Sequence, residues 1–240
     1  MVWLGDAGED ERRPACSGGV ARGDRGQREG GRAAGAARGA GVGAEPNSGA
    51  GAGIWTALPD AFLARVVPEE LGVDVPVVGA LGVGLVFLPR DPKQRMLCKQ
   101  EVESLIAQHG QQLLGWRAVP VAPDKANLGT AAKLTEPYSE QLLITAAPGL
   151  DQDTFECQLY LIRKVASHRL RTHAALSQSK MFYICSLSSR VMVYKGMLRT
   201  LQLMDYFPDL KAPDYVSHLA MVHARFATNT FPSWDRAHPM

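Results

Sequence analysis

Long apolar runs are missing from this 240-residue chain. None approaches the roughly 20 residues needed to cross a bilayer, and the N-terminus lacks the apolar core of a secretory signal. An excess of charge is missing too: 26 Lys and Arg stand against 24 Asp and Glu. No whole-chain basic field therefore exists to attract nucleic acid or an anionic membrane. Cysteine is scarce. Cys16, Cys98, Cys157 and Cys185 lie far apart with no paired spacing, which excludes a zinc-finger pattern and a disulfide framework and fits a reducing, intracellular compartment. The Arg-rich N-terminus also carries Asp6, Glu9, Asp10 and Glu11, unlike a simple transit peptide. The chain reads as soluble, with no nucleic-acid or membrane partner.

Large apolar side chains are nearly absent from the first fifth of the sequence. Between Gly18 and Gly53 there are 13 glycines, 9 alanines and 5 arginines. Such a segment buries too little apolar area to offset its backbone entropy, so disorder is expected. Two readings of this arm stand, a flexible extension or the product of a wrong frame or start in a GC-rich gene. The run Gly49-Ala50-Gly51-Ala52-Gly53 has no strand before it, so it is a weak phosphate-loop signal.

Beyond it the chain becomes globular. Ile54–Leu58 reads as a short strand, and 60–66 as a helical turn with Phe62 inward. The uninterrupted run Gly82–Leu88 reads as a buried strand. Asp91 and Pro92 then open a helix as cap and first residue. Cys98, Val102, Leu105, Ile106 and His109 recur at helical spacing until Gly110 ends it. Strands are expected at 113–121 and 141–146. Asp153 and Glu156 form a capping-box pair for a helix with Phe155, Leu159, Ile162 and Ala166 on its apolar stripe and Arg163, Lys164 and Arg169 opposite. Runs 181–187 and 191–194 read as an antiparallel pair joined by Ser188, Ser189 and Arg190, with a short helix at 201–204. Cys98, Cys157 and Cys185 are expected on apolar faces, as small hydrophobes. The histidines have no ligand partners at metal spacing. Strands interleaved with helices, with at least one hairpin, indicate an α/β or α+β sandwich.

The last stretch carries the strongest chemistry. A strand at 218–226 delivers Arg225 at its end, followed by Thr228, Asn229 and Thr230 and a turn through Pro232 and Trp234. A guanidinium beside hydroxyl and amide groups holds a carboxylate in a fixed pose. An arginine on an apolar strand serves a structural ion pair equally well, and spacing alone leaves both readings open. His223 alternates with Arg225 and shares its face.

The run Arg225-Phe226-Ala227-Thr228-Asn229-Thr230-Phe231-Pro232-Ser233-Trp234 resembles the glutaminase (class II glutamine amidotransferase) domain of the glutamate synthase family. Arg38-Gly39-Ala40 and Gly49 to Ile54 are similar to that family's His-Arg-Gly-Ala and Gly-Asp-Gly-Ala-Gly-Ile segments, with Ala37 and Ala50 in place of the histidine and aspartate. Ser186, Ser188, Ser189, Tyr194 and Gly196 match a further block, read as structural. The likeness spans 38–239 and is strongest from Lys180 to Pro239. It implies a four-layer αββα sandwich of the N-terminal nucleophile type covering 38–240, after an arm at 1–37.

It also implies a reaction. In this family an N-terminal cysteine thiolate attacks the glutamine amide, with its own α-amino group as base and an oxyanion hole to hold the intermediate. By resemblance Arg225 grips the glutamine α-carboxylate, with Thr228 and Asn229 at that wall, and Arg38 matches an arginine near the nucleophile. Cys16 is the one cysteine upstream of Arg38 and becomes the candidate nucleophile if the chain is cut after Ala15. The family's Asn-Gly-Glu-Ile-Asn motif does not occur in these 240 residues, so the sandwich is expected to be incomplete and the fragment inactive or nearly so. FMN and an iron–sulfur cluster are implied for the full-length enzyme, neither in this chain; the implied partners are glutamine and the remaining synthase domains. The expected location is the cytoplasm, or a plastid in a photosynthetic eukaryote. The rival readings are another class II glutaminase, of the asparagine synthetase or amidophosphoribosyltransferase type, and a catalytically dead binding or assembly domain.

Overall fold

The computed structural model describes residues 47, 49, 51–224 and 232–239. Their strands form two antiparallel sheets. β1 (Ala52–Ala57) lies between β6 (Val191–Gly196) and β7 (Ala220–His223). In the second sheet, β2 (Leu81–Leu88) lies between β4 (Tyr138–Thr145) and β5 (Tyr183–Ile184), and β3 (Gln112–Ala118) flanks β4 on the outside. The helices are α1 (Asp60–Leu71), α2 (Pro92–Gln108), α3 (Thr130–Leu134), α4 (Gln152–Arg171) and α5 (Leu203–Tyr206).

β2 organises the larger sheet. It has no polar side chain, and all eight residues are buried. It pairs with β4 in unbroken register, from Leu81 opposite Thr145 to Leu88 opposite Tyr138. A strand covered on both faces has no position left for a polar group, hence the continuous apolar run. On one face Val86, Leu88, Leu142 and Ile144 pack against α2 and α4. On the other, Val83, Leu85, Phe87 and Leu143 share a core with Ala52, Met192 and Tyr194 of the smaller sheet and with α1.

Local chemistry starts the covering helices. The Asp91 carboxylate accepts the Gln94 N–H at 2.8 Å, and Pro92 at the first helical position forfeits no internal bond. At α4 the cap is Asp151, which accepts the Thr154 N–H at 3.0 Å. This corrects the expected Asp153–Glu156 box: Glu156 instead accepts from the Ser188 hydroxyl, and from the Ser189 N–H at 3.2 Å. Phe155, Leu159, Ile162, Ala166 and Leu170 form the buried stripe. Cys157, expected on an apolar face, is exposed, because two residues advance a helix by about 200° from Phe155. Cys98 and Cys185 are buried as expected. α1 outruns its expected end, continuing through the exposed Pro68 to Leu71, where Gly72 at φ 68° takes the left-handed cap.

The expected hairpin of 181–187 with 191–194 does not form. β5 pairs with β2 and β6 with β1, in different sheets. Serine hydroxyls make the crossing feasible by replacing backbone partners. Ser186 Oγ accepts the Val193 N–H at 3.2 Å, and Ser188 Oγ accepts those of Arg190 and Val191 at 3.0 and 3.2 Å. This block is structural, as read.

One buried polar network joins the sheets. Arg117 on β3, 2% exposed, donates to both carboxylate oxygens of Asp209 at 2.7 and 3.0 Å and to Gln141 Oε1 at 3.0 Å. Tyr194 on β6 donates to the same carboxylate at 2.8 Å and accepts from Gln141 Nε2 at 2.8 Å. A bidentate pair with its lone pairs taken up elsewhere is the geometry in which a buried charge is tolerated.

Candidate functional site

Three backbone segments converge at one end of the smaller sheet: the start of β1, the end of β6 and the end of β7. Gly53 faces Lys195 across one pairing and His223 across the other, so the three form one row on one face. Ala52 pairs with Gly196 in the next row. Arg225 follows β7 by two positions in sequence. Asn47, just upstream of the Gly49 to Ile54 segment, accepts through its carbonyl from Gly129 N–H at 3.0 Å and Gln202 Nε2 at 3.2 Å.

The segment 232–239 docks over this row, and two glycines make room for it. A Cβ on Gly53 would lie 2.4 Å from the His238 carbonyl oxygen; one on Gly196 would lie 2.4 Å from the Trp234 ring. Trp234 donates its indole N–H to the Ala132 carbonyl at 3.1 Å and packs against Phe87 and Tyr206. The His238 ring lies 4.6 Å from that of His223 at 31°. Burial pushes the His238 pKa below its ordinary value, and the neighbouring His223 and Lys195 push it in the same direction.

Lys195 is fully buried. Its ammonium donates to the Asp235 carbonyl at 2.9 Å and sits 4.4 Å from the centre of the Tyr183 ring. Burial lowers its pKa. The Asp235 carboxylate is engaged elsewhere, accepting the Ser233 hydroxyl at 2.6 Å.

Cys16, Arg38, Arg225, Thr228 and Asn229 all lie outside the described residues. The structure therefore gives the flanks of the expected carboxylate-binding stretch, and these it brings together: His223 on one side, Pro232 to Pro239 on the other. Trp234 was expected as a turn anchor, whereas Lys195, Asp235 and His238 were not among the residues expected from the sequence. The available signal was a lysine in Val-Met-Val-Tyr-Lys-Gly, alternating with Val191 and Val193 on one face, a charge where the pattern calls for an apolar group.

The two buried thiols are poor nucleophiles. Burial pushes Cys98 and Cys185 up to about 12, so neither forms appreciable thiolate at neutral pH. Among the described residues no group of three His, Cys, Asp or Glu is placed to hold a metal ion, and no helix is long and apolar enough to cross a membrane.

The family model for class-II glutamine amidotransferases matches residues 36–240. Among curated proteins, ferredoxin-dependent glutamate synthase 2 of Synechocystis is 40% identical over 200 residues, covering 83% of this chain and 12% of that protein. The glutamate synthase [NADPH] large chain of Bacillus subtilis gives the same identity and coverage. Glutamate synthase [NADH] of Saccharomyces cerevisiae is 39% identical over 202 residues, 80% of this chain and 9% of its own length. The chain spans about an eighth or less of these relatives.

Proposed function

Because this chain belongs to the class II glutamine amidotransferases, we propose that it is the glutaminase domain of a glutamate synthase, splitting glutamine into glutamate and ammonia for transfer to 2-oxoglutarate. The observation that carries this is the 40% identity to glutamate synthases over 83% of the chain. The convergence of β1, β6 and β7 supports it, because both flanks of the Arg225 stretch come to the glycine row that the resemblance also singles out. In finer detail we propose the four-layer αββα sandwich over residues 38–240, with residues 1–37 as a separate arm. The helix layer of α2 and α4 and the two sheets packed on each other support this reading.

In the proposed chemistry Arg225 grips the glutamine α-carboxylate through paired charge-assisted hydrogen bonds, with Thr228 and Asn229 at the same wall and Arg38 near the nucleophile. A cysteine thiolate attacks the amide carbon. The tetrahedral intermediate collapses, the C–N bond breaks with a proton going to the departing nitrogen, and ammonia leaves a thioester that water hydrolyses. By resemblance the candidate is Cys16, upstream of Arg38, as a first residue after cleavage behind Ala15. Among the described residues the cysteines do not fit an iron–sulfur cluster, since Cys98 and Cys185 are buried as separate thiols and Cys157 is exposed; by resemblance that cluster and FMN are assigned to other parts of the longer enzyme.

Two preparations test this, one beginning at Met1 and one at Cys16. Calorimetry should show both binding L-glutamine, and the Met1 form should release little or no ammonia. Ammonia from the Cys16 form alone identifies the nucleophile. Binding without ammonia from either assigns the chain to the second reading, a binding or assembly domain. Absence of glutamine binding in both overturns the proposal.

A further inference from the structure

Where the end of β2, the end of β3 and the start of β4 meet, the larger sheet holds a half-open cavity of about 210 Å³. Val119, Val121, Pro123 and Pro137 give it apolar walls. Two polar residues in the lining, Ser139 and Arg90, have capacity that the fold does not use. The Ser139 carbonyl accepts the Val119 N–H at 3.0 Å, continuing the β3–β4 register, so the two side chains share one face. Ser139 is 6% exposed, and its hydroxyl has no hydrogen-bond partner among the described residues. A buried hydroxyl left unpaired is a cost to the fold, one that an alanine would remove. Arg90 is partly exposed and braced. It donates through Nε to the Glu136 carbonyl, and through Nη2 to the Lys133 carbonyl and to Glu136 Oε2, each of the latter at 3.0 Å. These bonds fix the guanidinium plane without using Nη1. The Glu136 carboxylate is fully committed, because its other oxygen accepts the Tyr206 hydroxyl at 2.6 Å. A second guanidinium, that of Arg95, lies 3.9 Å from the centre of the Tyr138 ring, which also lines the cavity.

We propose that this cavity binds a short-chain aliphatic monocarboxylic acid carrying one further oxygen, a hydroxy or oxo acid. Its carboxylate meets Arg90 Nη1 in a charge-assisted hydrogen bond. Its carbon body lies against the two valines and two prolines. Its second oxygen pairs with the Ser139 hydroxyl, which can donate to an oxo group or accept from a hydroxyl. The volume is about seven times a water molecule's share of the liquid and below the roughly 300–1,000 Å³ of drug-sized sites, which restricts the ligand to a few carbons. An amino acid fits poorly, because its ammonium would enter beside two guanidinium groups with no uncommitted carboxylate to receive it. The cavity shares no residue with the glycine row of the smaller sheet, and the assignment does not depend on the glutaminase reading.

The test is calorimetry on the full 240-residue chain with three probes of one shape: 2-hydroxy-3-methylbutanoate, 3-methylbutanoate, which lacks the hydroxyl, and valine, which carries an ammonium in its place. The hydroxy acid should bind saturably at millimolar concentration, as suits so small a ligand. The acid without the hydroxyl should bind roughly 3- to 10-fold more weakly, the size of one hydrogen bond, and valine more weakly still. Ser139→Ala should fold at least as stably as the parent and bind the two acids equally, because the group that told them apart is gone. Val121→Phe puts a ring into the cavity from a partly exposed position and should abolish binding while the denaturation midpoint holds. A parent that binds no hydroxy acid overturns the assignment, and so do equal affinities of the parent for the two acids or binding that survives Val121→Phe. Competition by L-glutamine overturns it as well, since the acid would then occupy the proposed glutamine site.

Discussion

Strand β2 and strand β7 are opposites within one molecule. All eight residues of β2 are buried, between two partner strands and beneath two helices, whereas β7 leaves Ala220, Met221 and Val222 exposed and has one partner, β1, among the described residues. The larger sheet is held from both faces by apolar packing. The smaller sheet shares one of those apolar cores and adds specific polar contacts: the Arg117–Asp209–Tyr194 network on one side and the Lys195–Asp235 link on the other. The difference separates two tasks. A sheet sealed by hydrophobic contact tolerates volume-conserving changes and keeps its shape. A sheet pinned by a few directional bonds positions a chain segment accurately but depends on each bond.

The comparison breaks most sharply at the network between the sheets. Asp209→Leu should cost up to about 3–5 kcal/mol, because the buried Arg117 guanidinium loses its bidentate partner and keeps Gln141 and the partly exposed Glu70. The Arg117→Met, Asp209→Leu double variant should recover much of that loss, measured by urea denaturation; equal losses in both would show that the charge pair is not what holds the sheets together. Next in size is Gly53→Ala, which forces a methyl against the His238 carbonyl and should cost about 1–3 kcal/mol as an overpacked contact. Trp234 fluorescence should shift to longer wavelength in that variant as the segment lifts, with the far-ultraviolet dichroism of α2 and α4 preserved. On the larger sheet, Asp151→Ala removes one helix cap and should cost about 1 kcal/mol, leaving glutamine affinity unchanged in calorimetry.

A pH titration sharpens the contrast further. The folded-state pKa of His238 lies below its ordinary value, so the folded chain favours the neutral ring. The associated stability is complete above pH 6.5 and is lost as pH falls through the lowered folded value. Docking of 232–239 should therefore loosen on acidification while β2 and β4 keep their amide protection. Histidine NMR of His223→Gln should show the His238 pKa moving back toward 6.5, since one neighbouring positive charge is gone. The smallest effect is expected at β7 itself. Met221→Lys, at a side chain 53% exposed, should change stability by less than about 0.5 kcal/mol by urea denaturation.

What the sequence made legible follows the range of the interactions involved. β2 and the start of α2 could be read because an unbroken apolar run and an Asp-Pro pair act within a few residues of themselves. The apolar stripe of α4 was legible for the same reason, but its cap was not: Asp151 and Asp153 both suit that role, and the choice fell to Glu156 being drawn off to Ser188 and Ser189. The separation of β5 and β6 into different sheets was invisible, since serines that read as a hairpin turn accept backbone N–H groups two to seven residues on and serve a crossing between sheets equally well. Helical phase, applied residue by residue, would have turned Cys157 outward. At the site, Arg225, Thr228, Asn229, Arg38 and Cys16 came from resemblance and lie outside the described residues. Lys195 and Asp235 meet across 40 positions of sequence, a juxtaposition that no local pattern carries.

The burial of Cys98 on the inner face of α2 and of Cys185 beside β2 also makes the fold its own reference for covalent labelling. In the native chain a thiol-reactive electrophile, or a glutamine mimic carrying one, leaves both unmodified, because each remains a protonated thiol near pH 7 within the packed core. Adducts at Cys98 or Cys185 would then count unfolded molecules, while adducts at Cys157 would report ordinary surface reactivity. A glutamine-shaped reagent that modifies Cys16 faster than Cys157 would be reading molecular recognition, with three internal standards already built into the same polypeptide.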